Sequence, residues 1–247
     1  LTGEDQNKIY GLVGKNISYS FSGKYFAGKF AKEKIKNTTY EIFDLNEISE
    51  IEKLIQEVHL DGFNVTIPYK EQILPYLDGL TQEAAETGAV NCVKIQNERK
   101  VGYNTDVFGF EESLRPLLEP YHQNALVLGS GGATKAIIFV LKKLNISFKT
   151  VSRNGIFTYK DLNREEIEKH QIIINCTPVG TFPETGKAPE IPYEFLTAKH
   201  FLYDLVYNPE KTKFLQFGEQ KNAKIKNGLE MLRLQAEKSW EIWSRPL

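Results

Sequence analysis

The stretch Ala125-Leu126-Val127-Leu128-Gly129-Ser130-Gly131-Gly132-Ala133 joins a short apolar run to a glycine-rich turn. Apolar residues Ala136, Ile137, Val140, Leu141 and Leu144 follow at helical spacing, and a strand-like run comes next at 148–151. Strand, turn, helix and strand make a βαβ unit. In such a unit Gly129 permits the tight turn, Gly131 lets the backbone approach a pyrophosphate, and the helix N-terminus supplies partial positive charge. The same residues also suit a plain strand-to-helix turn, and Thr134 stands where a dinucleotide fingerprint has Gly or Ala. An NAD site places Asp or Glu about 20 residues further on. Here Ser152 and Arg153 occupy that region. A small hydroxyl and a cation favour a 2′-phosphate, hence NADP; the alternative is that Arg153 is a solvated surface residue.

Outward from this unit, strands are expected at 172–175 and 201–205, and a helix from Asp106 toward Pro120 is a candidate linker. The first half alternates strand-like and helix-like segments. Ile9-Tyr10-Gly11-Leu12-Val13-Gly14 reads as a buried strand and 15–23 as a polar loop, with a short apolar stretch at 43–45. Ile48, Ile51, Leu54, Ile55 and Val58 mark an amphipathic helix, and Asp61-Gly62 turns the chain into a strand ending at Pro68. That alternation predicts a parallel α/β sheet. In the last helix, 228–243, Arg233, Glu237, Glu230 and Glu241 share one arc while Leu229, Leu232, Ala236, Trp240 and Trp243 share another. Gln235 points nearly opposite the charged arc, so its amide needs a partner in the core or on a ligand.

Composition excludes several function classes. Thirty-one Lys+Arg against 32 Asp+Glu give a net charge of −1, far from the basic excess of nucleic-acid binders. The longest apolar run, 136–141, is well short of the roughly 20 residues of a membrane span. Cys92 and Cys176 lie far apart and the four histidines are scattered singly, which fits a reducing cytoplasm and argues against a metal site.

Lys70 closes Asn64-Val65-Thr66-Ile67-Pro68-Tyr69-Lys70, so Thr66 and Lys70 fall at the carboxyl end of a strand, the edge where open α/β sheets bind ligands. An ammonium there can exchange a proton with an alcohol or carbonyl if a carboxylate orients it, and Asp106, after Gly102-Tyr103-Asn104-Thr105, is the candidate. Taken singly, Lys70 also reads as a solvated charge and Ser20 and Ser22 as loop hydroxyls.

Together these residues resemble the shikimate dehydrogenase family, from about residue 9 to 243. The family's G-x-P-I-x-H-S-x-S-P loop is echoed by Gly14-Lys15-Asn16-Ile17-Ser18-Tyr19-Ser20-Phe21-Ser22-Gly23. Its N-V-T-x-P-x-K is residues 64–70, its A-V-N is Ala89-Val90-Asn91, and its G-x-N-T-D is 102–106. G-A-G-G-A corresponds to 129–133 and I-N-x-T-P-x-G to 174–180. Tyr203-Asp204-Leu205-Val206-Tyr207 and Gly228-Leu229-Glu230-Met231-Leu232, on to Gln235, complete the set.

The resemblance implies that Ser20, Ser22 and Tyr207 bind a substrate carboxylate and that Thr66, Asn91, Asp106 and Gln235 bind ring hydroxyls. It makes Lys70 the acid–base residue, with Asp106 beside it. NADP(H) would lie across Gly129, Ser130, Gly131, Gly132 and Ala133, with Ser152, Arg153 and Thr177 at its adenosine end and Val206 and Gly228 near the nicotinamide. Three loop residues depart from the pattern: Asn16, Tyr19 and Gly23 stand for a Pro, a His and a Pro. Arg153 is the one close cation where the family has two, and Val107 and Phe108 occupy a stretch where Gly is frequent.

The expected fold is two-domain α/β. A substrate domain, 1–105, is completed by the returning helix 228–247, and a Rossmann-like doubly wound NADP domain spans 106–227, with the active site in the cleft between them. The implied reaction is NADPH-dependent reduction of 3-dehydroshikimate to shikimate, on the route to the aromatic amino acids. The expected setting is the cytoplasm, with a small-molecule substrate, no nucleic acid or membrane, and a monomer or homodimer. An NAD-using quinate/shikimate dehydrogenase and a non-catalytic NADP sensor are the rivals; Ser152 speaks against the first, Lys70 with Asp106 against the second.

Overall fold

The computed structural model describes residues 7–18 and 20–245, so Tyr19 lies outside the described residues. The chain forms two compact units, one running up to Thr105 and resuming at Ala236, the other spanning Asp106–Gln235.

In the first unit β1 (Lys8–Gly14) leads through α1 (Phe21–Glu33) to β2 (Thr38–Asp44), and a 3₁₀ turn runs into α2 (Ile51–Val58) and β3 (Gly62–Val65). β4 (Gly79–Leu80), α3 (Gln82–Thr87), β5 (Cys92–Gln96) and β6 (Arg99–Tyr103) follow. The sheet order is β2-β1-β3-β5-β6-β4. β1 is parallel to β2 and β3, but β5 is antiparallel to both β3 and β6. The sheet is therefore mixed, which corrects the parallel expectation. β5 and β6 are joined by a two-residue hairpin at Asn97-Glu98, both with positive φ (51° and 63°), the handedness that matches strand twist.

A second correction concerns 15–23, where α1 begins at Phe21 inside the expected loop. Ser20 caps it, its side chain accepting from Ser22 N at 3.3 Å. Only Phe26 and Phe30 are buried along this lysine-rich helix, so its apolar stripe is narrow. The loop before it is held by Asp44, whose carboxylate oxygens accept from Asn16 N (2.8 Å) and Ile17 N (3.1 Å). Asn16 sits at φ 56°. A proline at 16 has neither that φ nor the N–H, so this chain anchors the turn by a carboxylate instead.

The first sheet buries both faces. Val13, Ile51, Phe63, Val65 and Ile73 pack on one side. Tyr10, Phe26, Phe30, Tyr40, Trp240 and Trp243 pack on the other, Tyr10 stacked on Trp243 at 4.7 Å. Trp243 donates its indole N–H to Val93 O at 2.9 Å, and a Cβ on Gly62 would lie 2.6 Å from that nitrogen. Each such buried aromatic contributes about 1.5–3 kcal/mol, so the terminal helix is integral to this unit's core.

The second unit opens with α4 (Thr105–Leu114). It continues through β7 (Asn124–Leu128), α5 (Gly132–Lys143), β8 (Ser147–Val151), α6 (Arg164–Lys169), β9 (Ile172–Asn175), β10 (Phe201–Asp204), α7 (Lys213–Gln220) and β11 (Lys224–Lys226). All ladders are parallel in the order β11-β10-β9-β7-β8. Every residue of β9 and β10 is buried, as strands covered on both faces require.

The last helix, α8 (Leu229–Ser244), is shared. Met231 belongs to the second unit's core, while Ala236 and Trp243 belong to the first unit's aromatic layer. The division therefore falls after Gln235 rather than at 228. Among the described residues no helix is long and apolar enough to cross a membrane.

Candidate active site

In the first unit, Ser20, Ser22, Thr66, Lys70 and Asn91 gather at the carboxyl edge of the parallel strands. Thr66 N donates to Val13 O (2.9 Å), tying the segment after β3 to the end of β1. A Cβ on Gly14 would lie 2.5 Å from Thr66 Cγ2, so glycine there lets the Thr66 methyl pack inward. The turn carrying Lys70 is pinned twice. Tyr69 donates its hydroxyl to Leu45 O (2.8 Å), and Val90 N donates to Lys70 O (2.8 Å), placing 66–70 alongside 89–91.

Asn91 is buried, and its Oδ1 accepts from both Thr105 N (2.7 Å) and Thr105 Oγ1 (3.1 Å). That settles which end of the amide is oxygen. Its carbonyl accepts from Asn64 Nδ2 (3.0 Å), which also donates to Ser239 Oγ (2.9 Å), while Tyr40 donates its hydroxyl to Asn64 Oδ1 (2.9 Å). Burial pushes the Tyr40 phenol well above its ordinary range, so it is neutral at any working pH. A satisfied buried network of this kind fixes Asn91 and Thr105, the residue before Asp106. Sequence reasoning assigned no role to Tyr40 or Ser239. Asn64 left a signal, a polar residue inside an apolar strand.

In the second unit the glycine turn lies at the carboxyl end of β7. Gly129 has φ 107°, and a Cβ there would sit 2.9 Å from Thr177 Cγ2. Gly129 N donates to Val151 O and Cys176 N to Leu128 O, both at 2.8 Å, so this turn, Ser152 and Thr177 share one sheet edge. Gly131 caps α5 with no side-chain hydrogen bond, and a Cβ on it would meet nothing within 4 Å. Thr134 N donates back to Gly131 O (2.9 Å), and the N-terminal end of this twelve-residue helix is open beside Gly131, which suits a pyrophosphate. The residues present fit a dinucleotide.

Arg153 is exposed on the loop after β8, with Ser152 N held by Phe157 O at 3.2 Å. Beyond it, the 156–162 stretch contains one 3₁₀ turn at Tyr159–Asp161. Val206 is buried and Tyr207 half-buried just beyond β10. Gly228 N donates to Val206 O (3.2 Å), and a Cβ on Gly228 would fall 2.1 Å from Leu205 O, so only glycine fits this close approach. Asp106 is buried in the first turn of α4. Gln235 is half-buried, its Nε2 donating to Leu232 O at 2.9 Å. Asp106, Tyr207 and Gln235 belong to the second unit, unlike the other expected substrate residues.

Residues 12–93 match the family model of the shikimate dehydrogenase substrate binding domain. The chain is 36% identical to the shikimate dehydrogenase (NADP(+)) of Caldanaerobacter subterraneus subsp. tengcongensis, over 98% of this chain and 93% of that protein. It is similar to the crystal structure of shikimate 5-dehydrogenase from Thermus thermophilus in complex with NADP(H) and shikimate, with TM-score 0.85 and 29% identity over 97% of this chain and 94% of that one. It is also similar to shikimate 5-dehydrogenase from Listeria monocytogenes in complex with shikimate and NAD, with TM-score 0.85 and 27% identity over 96% and 92%.

Proposed function

The chain belongs to the shikimate dehydrogenase family, and from that premise we propose that it interconverts 3-dehydroshikimate and shikimate with NADP(H), in aromatic amino acid biosynthesis. Bound NADPH supplies the hydride for the ring ketone. The chain's own groups do the rest. Ser20, Ser22 and Tyr207 offer hydroxyl donors to the substrate carboxylate. Asn91, whose oxygen is committed to Thr105, offers N–H groups to a ring hydroxyl. Thr66, Asp106 and Gln235 hold the remaining hydroxyls.

Lys70 protonates the ketone oxygen as the alcohol forms and takes the proton back in reverse; Asp106 balances its charge. Such proton transfer is worth about 10²–10⁴-fold. Gly129, Ser130, Gly131, Gly132 and Ala133 cradle the pyrophosphate, Thr177 and Ser152 border the adenosine half, and Val206 and Gly228 border the nicotinamide. Arg153 pairs with the 2′-phosphate. Both cysteines are free, in keeping with a cytoplasmic setting.

The observation that carries the reading is the pinned 66–70 turn, which presents Lys70 at the ligand edge with its backbone bound to the Asn91 segment. Shikimate-dependent reduction of NADP+, followed by absorbance of the reduced nicotinamide, tests it. Quinate and NAD+ as replacements separate the rivals. Turnover with shikimate and NADP+ is expected; no reduction with any pairing contradicts the proposal.

A further inference from the structure

Asp204 ends β10 and is fully buried, opposite Asn175, which ends β9 and is equally buried. Its Oδ1 accepts from Asn175 Nδ2 (2.9 Å) and from Val206 N (3.0 Å), and its Oδ2 accepts from Thr212 Oγ1 (2.5 Å). With Nδ2 turned to the carboxylate, the Asn175 Oδ1 faces the other way and accepts from Thr177 N (3.0 Å) and Thr177 Oγ1 (2.6 Å). Thr177 Oγ1 in turn accepts from Val179 N (3.3 Å), and the Thr177 methyl fills the space beside Gly129. One carboxylate thus holds the Val206 turn directly and the 176–179 turn through the Asn175 amide, whose NH₂ it anchors at 2.9 Å beside a longer bond to Val179 O at 3.4 Å.

An acceptor oxygen facing Asn175 and Val206 is what that arrangement requires. An apolar residue at 204 would leave the Asn175 NH₂ with only its long bond to Val179 O (3.4 Å), loosening the amide whose oxygen holds Thr177. Burial pushes the Asp204 carboxyl up to about 6, against the opposing pull of the Thr212, Val206 and Asn175 hydrogen bonds. The carboxylate form still prevails at neutral pH, where its hydrogen bonds are charge-assisted.

We infer that Asp204 is a positioning residue for the cofactor: acting through Asn175 and Val206, it sets the two turns after β9 and β10, on the same sheet edge as the glycine loop, without itself touching the ligand. This rests on the reading of that loop as the NADP site. The second unit carries all of it, whereas Ser20, Ser22, Thr66 and Asn91 lie in the first, so of the substrate residues only Tyr207, next to Val206, adjoins the turns that Asp204 sets.

The test is calorimetric titration of the whole chain with NADP+ and, separately, with shikimate. Asp204→Ala is expected to weaken NADP+ by about tenfold or more and shikimate distinctly less, since Tyr207 is the one substrate residue next to a turn that Asp204 sets. Asp204→Asn should recover most of the loss, because its amide oxygen can serve Asn175 and Val206 while its NH₂ turns to Thr212 Oγ1. Hydrogen exchange supplies a readout that general loosening does not mimic: in Asp204→Ala the Thr177 amide exchanges faster, although its partner is Asn175, while β7 amides keep their protection. If Asp204→Ala does not fold, Asn175→Ala, which removes the link and keeps the carboxylate with Thr212 and Val206, must show the same selective loss.

Unchanged NADP+ affinity in a folded variant, or equal losses for both ligands, overturns the inference alone. A parent chain that takes up no NADP+ overturns the functional reading, and the inference with it.

Discussion

Asp44→Ala should lower shikimate affinity about thirtyfold while leaving NADP+ binding unchanged. In the parent, the two Asp44 oxygens hold Asn16 N at 2.8 Å and Ile17 N at 3.1 Å, just ahead of Ser20 and Ser22. Hydrogen bonds to a charged group are worth about 1.5–3 kcal/mol each, and Asp44 is exposed, so the lower end applies and the pair contributes about 3 kcal/mol. Asn16 in its left-handed conformation costs about 1 kcal/mol, which is recovered once the turn lets go. The net, about 2 kcal/mol, must then be supplied by the substrate when it orders the serines, and each 1.4 kcal/mol is about tenfold in affinity. Asp44→Asn, with one acceptor oxygen left, should fall between. Titration calorimetry of shikimate and NADP+ against parent and variants provides the numbers. A folded Asp44→Ala chain that binds shikimate within twofold of the parent refutes the claim that this carboxylate stands in for a rigid turn.

Ser22→Ala should raise the KM for shikimate and hardly move that for NADP+; it also removes a hydrogen bond to Tyr40, while Ser20→Ala removes the α1 cap, worth about 1 kcal/mol. Arg153→Ala should weaken NADP+ and spare NAD+, since only the former carries the 2′-phosphate; equal losses in direct binding would place Arg153 elsewhere. Asp204→Asn should stabilise the fold, and more so at pH 8 than at pH 4. The carboxyl moves from 3.8 when unfolded to about 6 in the fold, so the folded chain binds the extra proton between those values and stability falls as pH rises through that window, by on the order of 3 kcal/mol. His122 and His170, held below their ordinary range chiefly by burial, act in the opposite sense but are common to both proteins and cancel in the difference. Urea midpoints at the two pH values measure it; a variant less stable at pH 8 would contradict the argument.

The second unit was the more legible from sequence because its central strands β7, β9 and β10 are buried and mostly apolar: 172–175 coincides with β9, and the glycine turn sits between β7 and α5 as its residues demand. The first unit hid more. Its β5–β6 hairpin turns on Asn97-Glu98, where the usual Asn-Gly signal is missing. α1 buries only two side chains, too narrow a stripe to show as periodicity. The split of α8 was invisible because both halves present apolar residues to a core, and only tertiary contact distinguishes Met231 from Ala236. The groups expected to touch ligands were found by motif; Asn64, Asn175 and Asp204 stand in the same motifs, but what they hold, like the roles of Asp44 and Ser239, is set by contacts between residues distant in the chain.

The central claim is that Lys70 moves the proton in an NADP-linked oxidation of shikimate. Its most direct test is the rate of NADP+ reduction by saturating shikimate in Lys70→Ala beside the parent, with the shikimate dissociation constant measured on the same preparations. The account predicts a fall in kcat of about 100-fold or more with little change in binding, because the carboxylate and hydroxyl contacts remain. A Lys70→Ala enzyme that turns over within a few-fold of the parent would contradict it.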